Sequence, residues 1–142
     1  MRMQDKVAVI TGGASGIGKR TVERFLEEGG RAVVADIQDA AGMRLVEELG
    51  PAARYIHCDV THEADIAAAV ALADASWGRL DLMFNNAGRP GDPNPIETMP
   101  AEAWDATFAI LVLIVCANAV VVVAKATNAK TTAAKVMASA IR

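Results

Sequence analysis

The residues best suited to do chemistry in this 142-residue chain are a cluster of glycines and a few polar side chains at the ends of apolar runs. The glycine cluster is Thr11-Gly12-Gly13-Ala14-Ser15-Gly16-Ile17-Gly18. Glycines at 12, 16 and 18 let the backbone turn tightly, approach a phosphate closely and pack a following helix against a strand. The unpaired N–H groups from Ser15 to Gly18, at the positive end of that helix, then face the anion, as a pyrophosphate cradle requires. Asp36 follows Gly18 by 18 residues and ends a second apolar run. A carboxylate there can accept hydrogen bonds from both hydroxyls of a ribose, each worth about 1.5–3 kcal/mol. Asn85-Asn86-Ala87-Gly88 ends a further run. Side-by-side amides at a strand end can satisfy sheet backbone and support a ligand, and for Asn85 the structural role is the expected one.

These groups need elements to hold them. Lys6 to Ile10 reads as a strand, and Ser15 or Gly16 to about Glu28 as a helix with Val22, Phe25 and Leu26 at helical spacing, capped by Gly29-Gly30. Arg31 to Asp36 is a second strand. Ala40 to Leu49 is a second helix, with Met43, Val46 and Leu49 expected on its buried face. Arg54 to Asp59, Thr61 or His62 to Trp77, and Leu80 to Asn85 complete a strand, a helix and a strand. Strands alternating with helices over short connections imply a parallel sheet with helices on both faces. The proline-rich stretch 88–100 must be a loop, and Pro100 suits the first turn of a helix running through Trp104 and Phe108.

Composition narrows the function classes. The net charge of −3 argues against nucleic acid as the main partner, and no N-terminal segment pairs a basic stretch with a long apolar one, so a cytoplasmic protein is expected. Cys58 and Cys116 lack metal-ligand spacing and read as buried thiols, with no metal site expected. His57 reads as a packed histidine and His62 as a cap or surface residue. The averages conceal a break: every glycine, proline, aromatic and acidic residue precedes position 109. Residues 1–108 hold ten basic and seventeen acidic side chains, whereas the last 34 residues are mostly alanine and valine with four cations.

Taken together, Thr11 to Gly18, Asp36, Asp59-Val60 and Asn85-Asn86-Ala87-Gly88 resemble the short-chain dehydrogenase/reductase family, over residues 5 to about 108. The Met99-Pro100 and Trp104-Asp105 region is similar to the start of that family's dimer-interface helix. The resemblance implies one Rossmann-type domain: a doubly wound parallel sheet in three α/β/α layers. It implies oxidoreductase activity, a hydride passing between a secondary alcohol or ketone and a nicotinamide cofactor. Gly12, Ser15, Gly16, Ile17 and Gly18 would hold the pyrophosphate, Asp36 and Ile37 the adenosine ribose, Asp59 and Val60 the adenine, and Asn86, Ala87 and Gly88 the nicotinamide side. Asp36 would repel a 2′-phosphate, and neither Ala14 nor Ile37 offers a cation, so NAD is expected rather than NADP.

The proton donor is where the resemblance stops. The family supplies a tyrosine four residues before a lysine, with a serine and an asparagine assisting. Tyr55 is the only tyrosine and lies on the third strand. Thr131 stands where the tyrosine is expected, leaving Lys135 as the one catalytic residue carried over. Leu111 falls at the asparagine's place, and Val120 to Val123 resembles the fifth strand. The rival reading is an inactive NAD-binding fragment or pseudoenzyme of the same fold. A membrane anchor at 108–124 is set aside, since its seventeen residues fall short of about 20 and Asn118 interrupts them. An exposed apolar helix around 104–115 makes a homodimer or homotetramer the expected assembly. Residues 109–142 are read as incomplete or unreliably assigned, since they depart so sharply from the rest. An intact-mass measurement checks this: a mass near 14.9 kDa would refute it, because a full-length parent is heavier.

Overall fold

The computed structural model describes residues 1–89 and 95–110. The expectations for Leu111, Cys116, Val120 to Val123, Thr131 and Lys135 lie outside the described residues. Within them the chain runs β1 (Val7–Thr11), α1 (Gly16–Glu27), β2 (Arg31–Asp36), α2 (Asp39–Leu49), β3 (Ala53–His57), α3 (Glu63–Trp77) and β4 (Leu82–Phe84). Short 3-10 turns cover Gly50–Ala52 and Ile96–Thr98, and 101–110 form a helix, α4.

The four strands form one parallel sheet in the order β3-β2-β1-β4. Val7 pairs with Arg31 and Thr11 with Ala35 in one direction, and Ala8 with Leu82 in the other. β1 is therefore flanked on both sides, and all five of its residues are buried. Its side chains alternate between two cores, as a strand's pleat dictates. Val7 and Val9 join Val33, Ala35, Ile66, Ala69, Ala73 and Met83 on the α3 face. Ala8 and Ile10 join Val22, Phe25, Val34 and Leu45 on the face covered by α1 and α2. Ile110 of α4 packs on the α3 face. This is a three-layer, doubly wound Rossmann-type arrangement. The chain leaves β1 toward β2 and β3, then crosses back to place β4 on the opposite side, so β1 and β4 flank a topological switch point.

Three local features differ from the reading of the sequence. β4 is three residues long rather than six: at its start the Asp81 N–H still donates to the Val7 carbonyl at 2.9 Å, but the Val7 N–H is taken by the Asp81 carboxylate, at 3.0 Å, and not by a strand carbonyl. β3 ends at His57 and not Asp59, since Asp59 is drawn into the turn before α3. On α2 the buried residues are Gly42 and Leu45, while Met43 is 58% exposed. The helix is rotated so that Gly42 and Leu45, with Val46 and Leu49 partly buried beside them, face the sheet and Met43 does not. The face assignment is testable by urea unfolding. Leu45→Ala is expected to cost about 2–5 kcal/mol and Met43→Ala less than about 0.5 kcal/mol.

Candidate functional site

Each strand of a parallel sheet delivers its last residue to the same edge. Here that edge gathers Thr11 with the glycine-rich turn, Asp36 to Gln38, Asp59-Val60 and Asn86 to Gly88. The turn itself depends on glycine. Gly12 and Gly16 have φ of +63° and +52°, in the left-handed region that L side chains avoid. A Cβ on Gly18 would overlap the Gly12 carbonyl oxygen and stand 2.7 Å from Asn86 Nδ2, whereas one on Gly16 would point into open space. Gly18 thus packs α1 against the strand end, and Gly16 leaves room for a bound group.

Ser15 is the N-cap of α1 but makes no side-chain capping bond, and Lys19 is the first residue whose N–H turns back to it, at 3.0 Å. The N–H groups of the first turn have no acceptor within the helix. With no acidic residue in that turn, the positive end of the helix faces outward unneutralised. These features fit a diphosphate.

Two side chains lock the turn to its neighbours. Thr11, 1% exposed, accepts the Asn86 and Ala87 N–H groups on its hydroxyl at 3.0 and 3.1 Å. Asn86 in return donates its side-chain amide to the Thr11 and Gly12 carbonyls at 3.1 and 3.3 Å. Asn86, just beyond β4, therefore supports the turn through its side-chain amide. Thr11 was missed as a functional residue; its signal is a hydroxyl closing an otherwise apolar buried strand.

Asp36 is 4% exposed. Its Oδ2 accepts the Ala14 N–H at 2.9 Å and its Oδ1 the Gln38 N–H at 3.0 Å. The Gln38 side-chain amide reaches Oδ1 at 3.4 Å and Ser15 Oγ at 3.2 Å, joining the acid to the glycine turn. Ile17 and Ile37 are exposed, 74% and 61%, on either side of this corner. Asp59 is engaged differently. Its Oδ1 takes the Thr61 hydroxyl at 2.7 Å and the Thr61 N–H at 2.9 Å, which hold its carboxyl below the usual carboxylate range. Val60 next to it is buried and Gly88 exposed.

β3 corrects one expectation and adds a cluster. His57 is not packed in a core: β3 is the edge strand among the described residues, and the His57 side chain is 55% exposed with Nδ1 2.8 Å from Asp39 Oδ1. Tyr55, on the same face two residues earlier, places its hydroxyl 2.6 Å from Asp39 Oδ1 and 2.8 Å from the Asp36 carbonyl oxygen. The hydroxyl of Tyr55, with His57, holds the Asp39 carboxyl below its ordinary range, and Asp39 holds the His57 imidazole above its own. Burial, then Asp39, push the phenol up. Just beyond the end of β3 lies Cys58, a buried thiol that burial pushes up to about 12 and so keeps protonated and inert. Among the described residues no group of three or more His, Cys, Asp or Glu could hold a metal, and no helix is long and apolar enough to cross a membrane. On α4, Trp104 and Phe108 stack 4.8 Å apart and are 46% and 44% exposed.

The chain matches the short chain dehydrogenase family over residues 6–137. Momilactone A synthase of Oryza sativa subsp. japonica is 61% identical over 93 residues, which are 65% of this chain and 34% of that protein. A 3-ketoacyl-(acyl-carrier-protein) reductase from Brucella melitensis, complexed with NADH, has a TM-score of 0.75 at 36% identity, over 79% of this chain and 46% of that one. A short chain dehydrogenase/reductase from Burkholderia phymatum in complex with NAD has a TM-score of 0.75 at 32% identity, over 81% of this chain and 42% of that one. The chain thus spans about a third of the length of the curated relative named here.

The His57–Asp39 pair sets a pH signature. Because the folded imidazole titrates above its ordinary 6.5, the stability it contributes is complete below 6.5 and is lost as pH rises through the folded value. Urea midpoints are therefore expected to fall across the pH range just above 6.5. His57→Gln should flatten that segment.

Proposed function

Because this chain belongs to the short-chain dehydrogenase family, we propose that it binds NAD along the carboxyl ends of its strands and that it serves hydride transfer between a secondary alcohol or ketone and NAD(H). The observation that carries the reading is the Asp36 carboxylate, fixed at the end of β2 beside a glycine turn that leads into an uncapped helix start. Backbone N–H groups of Ser15, Gly16, Ile17 and Gly18 would hold the diphosphate, with Gly12 setting the turn. Asp36 Oδ2 accepts one backbone N–H and keeps a lone pair for a ribose hydroxyl, while Oδ1 would take the second hydroxyl in place of the long 3.4 Å bond from the Gln38 side-chain amide, with Ile37 covering the sugar. Asp59 and Val60 would bound the adenine. Ala87 and Gly88, held in place by Asn86, would line the nicotinamide side.

NAD over NADP rests on charge. A 2′-phosphate brought against the Asp36 carboxylate meets like charge, and Ala14 and Ile37 beside it carry none. The NADH and NAD complexes of the two structural neighbours support the same reading. When bound, the nicotinamide supplies the hydride acceptor or donor. Lys135 is proposed to attend the reacting carbonyl, by resemblance to the family's tyrosine–lysine pair.

Tyr55 is not the proton donor. Its hydroxyl is committed to Asp39 and to the Asp36 carbonyl at the adenosine end, and its proton is held more tightly than that of a free phenol. The second reading, NAD binding without turnover by the chain as written, rests on the sequence holding no tyrosine four residues before a lysine. The exposed Trp104 and Phe108 pair on α4 supports a homodimer or homotetramer.

Two measurements test the function. Asp36→Ala should weaken NAD+ binding in calorimetry by about tenfold or more, equivalent to about 1.4 kcal/mol; unchanged affinity removes the ribose assignment. NADH formation with a panel of secondary alcohols separates the two readings, since binding without turnover supports the second.

A further inference from the structure

We propose that Tyr55 is a positioning residue for the ribose-binding acid: its hydroxyl pins the backbone of Asp36 and the first residue of α2 together, and so aims the Asp36 carboxylate. This inference rests on the reading of Asp36 as the ribose acceptor.

The chain between β2 and α2 has only Ile37 and Gln38 to make its turn. Gln38, the N-cap of α2, offers no side-chain capping bond, but its N–H and side-chain amide hold Asp36 Oδ1 at 3.0 and 3.4 Å while the Ala14 N–H holds Oδ2. Those bonds act on the carboxylate; the Asp36 backbone that carries it is held by Tyr55 of β3 and by Cys58 just beyond it. The Cys58 N–H donates to the Asp36 carbonyl at 3.0 Å, and the Tyr55 hydroxyl approaches the same oxygen at 2.8 Å. The same hydroxyl lies 2.6 Å from Asp39 Oδ1. A phenol has one proton, and both neighbours are acceptors, so it is shared in a three-centre bond between the last residue of β2 and the first of α2. Rotating the Asp36 peptide would break that bond and swing the carboxylate away from Ala14.

A second observation shows that the fold makes room for this contact. Gly42 sits inside α2, where glycine is less favourable than alanine. A Cβ at that position would overlap Tyr55 Cδ2 and Cε2 and stand 3.0 Å from Cζ. The glycine lets the tyrosine ring pass beneath the helix to reach Asp36 and Asp39. A tyrosine present only for packing would not need its hydroxyl there, and phenylalanine would fill the same space.

The test is a double-mutant cycle on the full chain, with NAD+ affinity read by calorimetry. Tyr55→Phe is expected to raise the Kd for NAD+ about fivefold in the wild-type background and less than about 1.5-fold in the Asp36→Ala background. A purely structural role would weaken binding equally in both, or in neither, and either result overturns the inference while leaving the ribose reading intact. If Asp36→Ala itself binds NAD+ as tightly as wild type, the ribose reading falls and the inference with it. Gly42→Ala provides an independent route should a chain carrying Asp36→Ala fail to fold. It should displace the ring and raise the Kd about as much as Tyr55→Phe, with the two changes together no worse than either. Unchanged NAD+ affinity in Gly42→Ala, or additive losses, overturns the proposal.

Discussion

A carboxylate buried to 4% exposure is tolerable only if hydrogen bonds replace the water it has lost, and that requirement organises the site end of this molecule. Asp36 meets it with one N–H from the glycine turn and one from the entry to α2. Two segments that have no sheet ladder of their own are thereby fixed to the end of β2. Removing the charge would leave two backbone donors without acceptors as well as an altered binding corner. The same bonds that keep the acid buried keep it aimed, so stability and recognition are not separable at this residue.

The glycine turn is held by the same logic from the other side. Asn86 and Thr11 exchange hydrogen bonds in both directions, side chain to backbone, so every polar atom at the junction of β1 and β4 serves its neighbour. Gly18 completes the arrangement by allowing contact with the Gly12 carbonyl that any side chain would block. Apolar burial supplies the bulk of the stabilisation through the two cores on either face of β1, and is indifferent to these details. The polar contacts at the carboxyl edge decide which way the donors and acceptors face.

Much of this was legible in the sequence because it depends on residue type and period. The alternation of strands and helices, the glycine spacing and the acid closing β2 all read directly, and the parallel sheet with helices on both faces followed. What escaped were properties of register and neighbourhood. Met43 and Gly42 are adjacent in a helical pattern, and only the docking of α2 on β3 decides which one meets the sheet. His57 sits in a run that alternates like a buried strand, yet among the described residues β3 pairs with β2 alone, and its ring lies against Asp39 near solvent. The amide of Asn86 bonds the Thr11 and Gly12 carbonyls, a contact across 75 and 74 residues that residue type does not signal. The Tyr55–Asp39 contact joins residues 16 apart on different elements, and no periodicity signals it.

The strand order has a consequence for how the chain acquires this geometry. β1, β2 and β3 pair with sequence neighbours, each joined by a single helical crossover, whereas β4 must return across the whole of that unit to reach β1. The bonds between Thr11 and Asn86 close a separation of 75 residues. Closing so long a loop gains nothing until the final contact is made, which places it late in assembly. The Asp36 corner draws on no residue beyond Cys58, whereas the clamp on the glycine turn needs Asn86, so the cradle is complete only once β4 has docked.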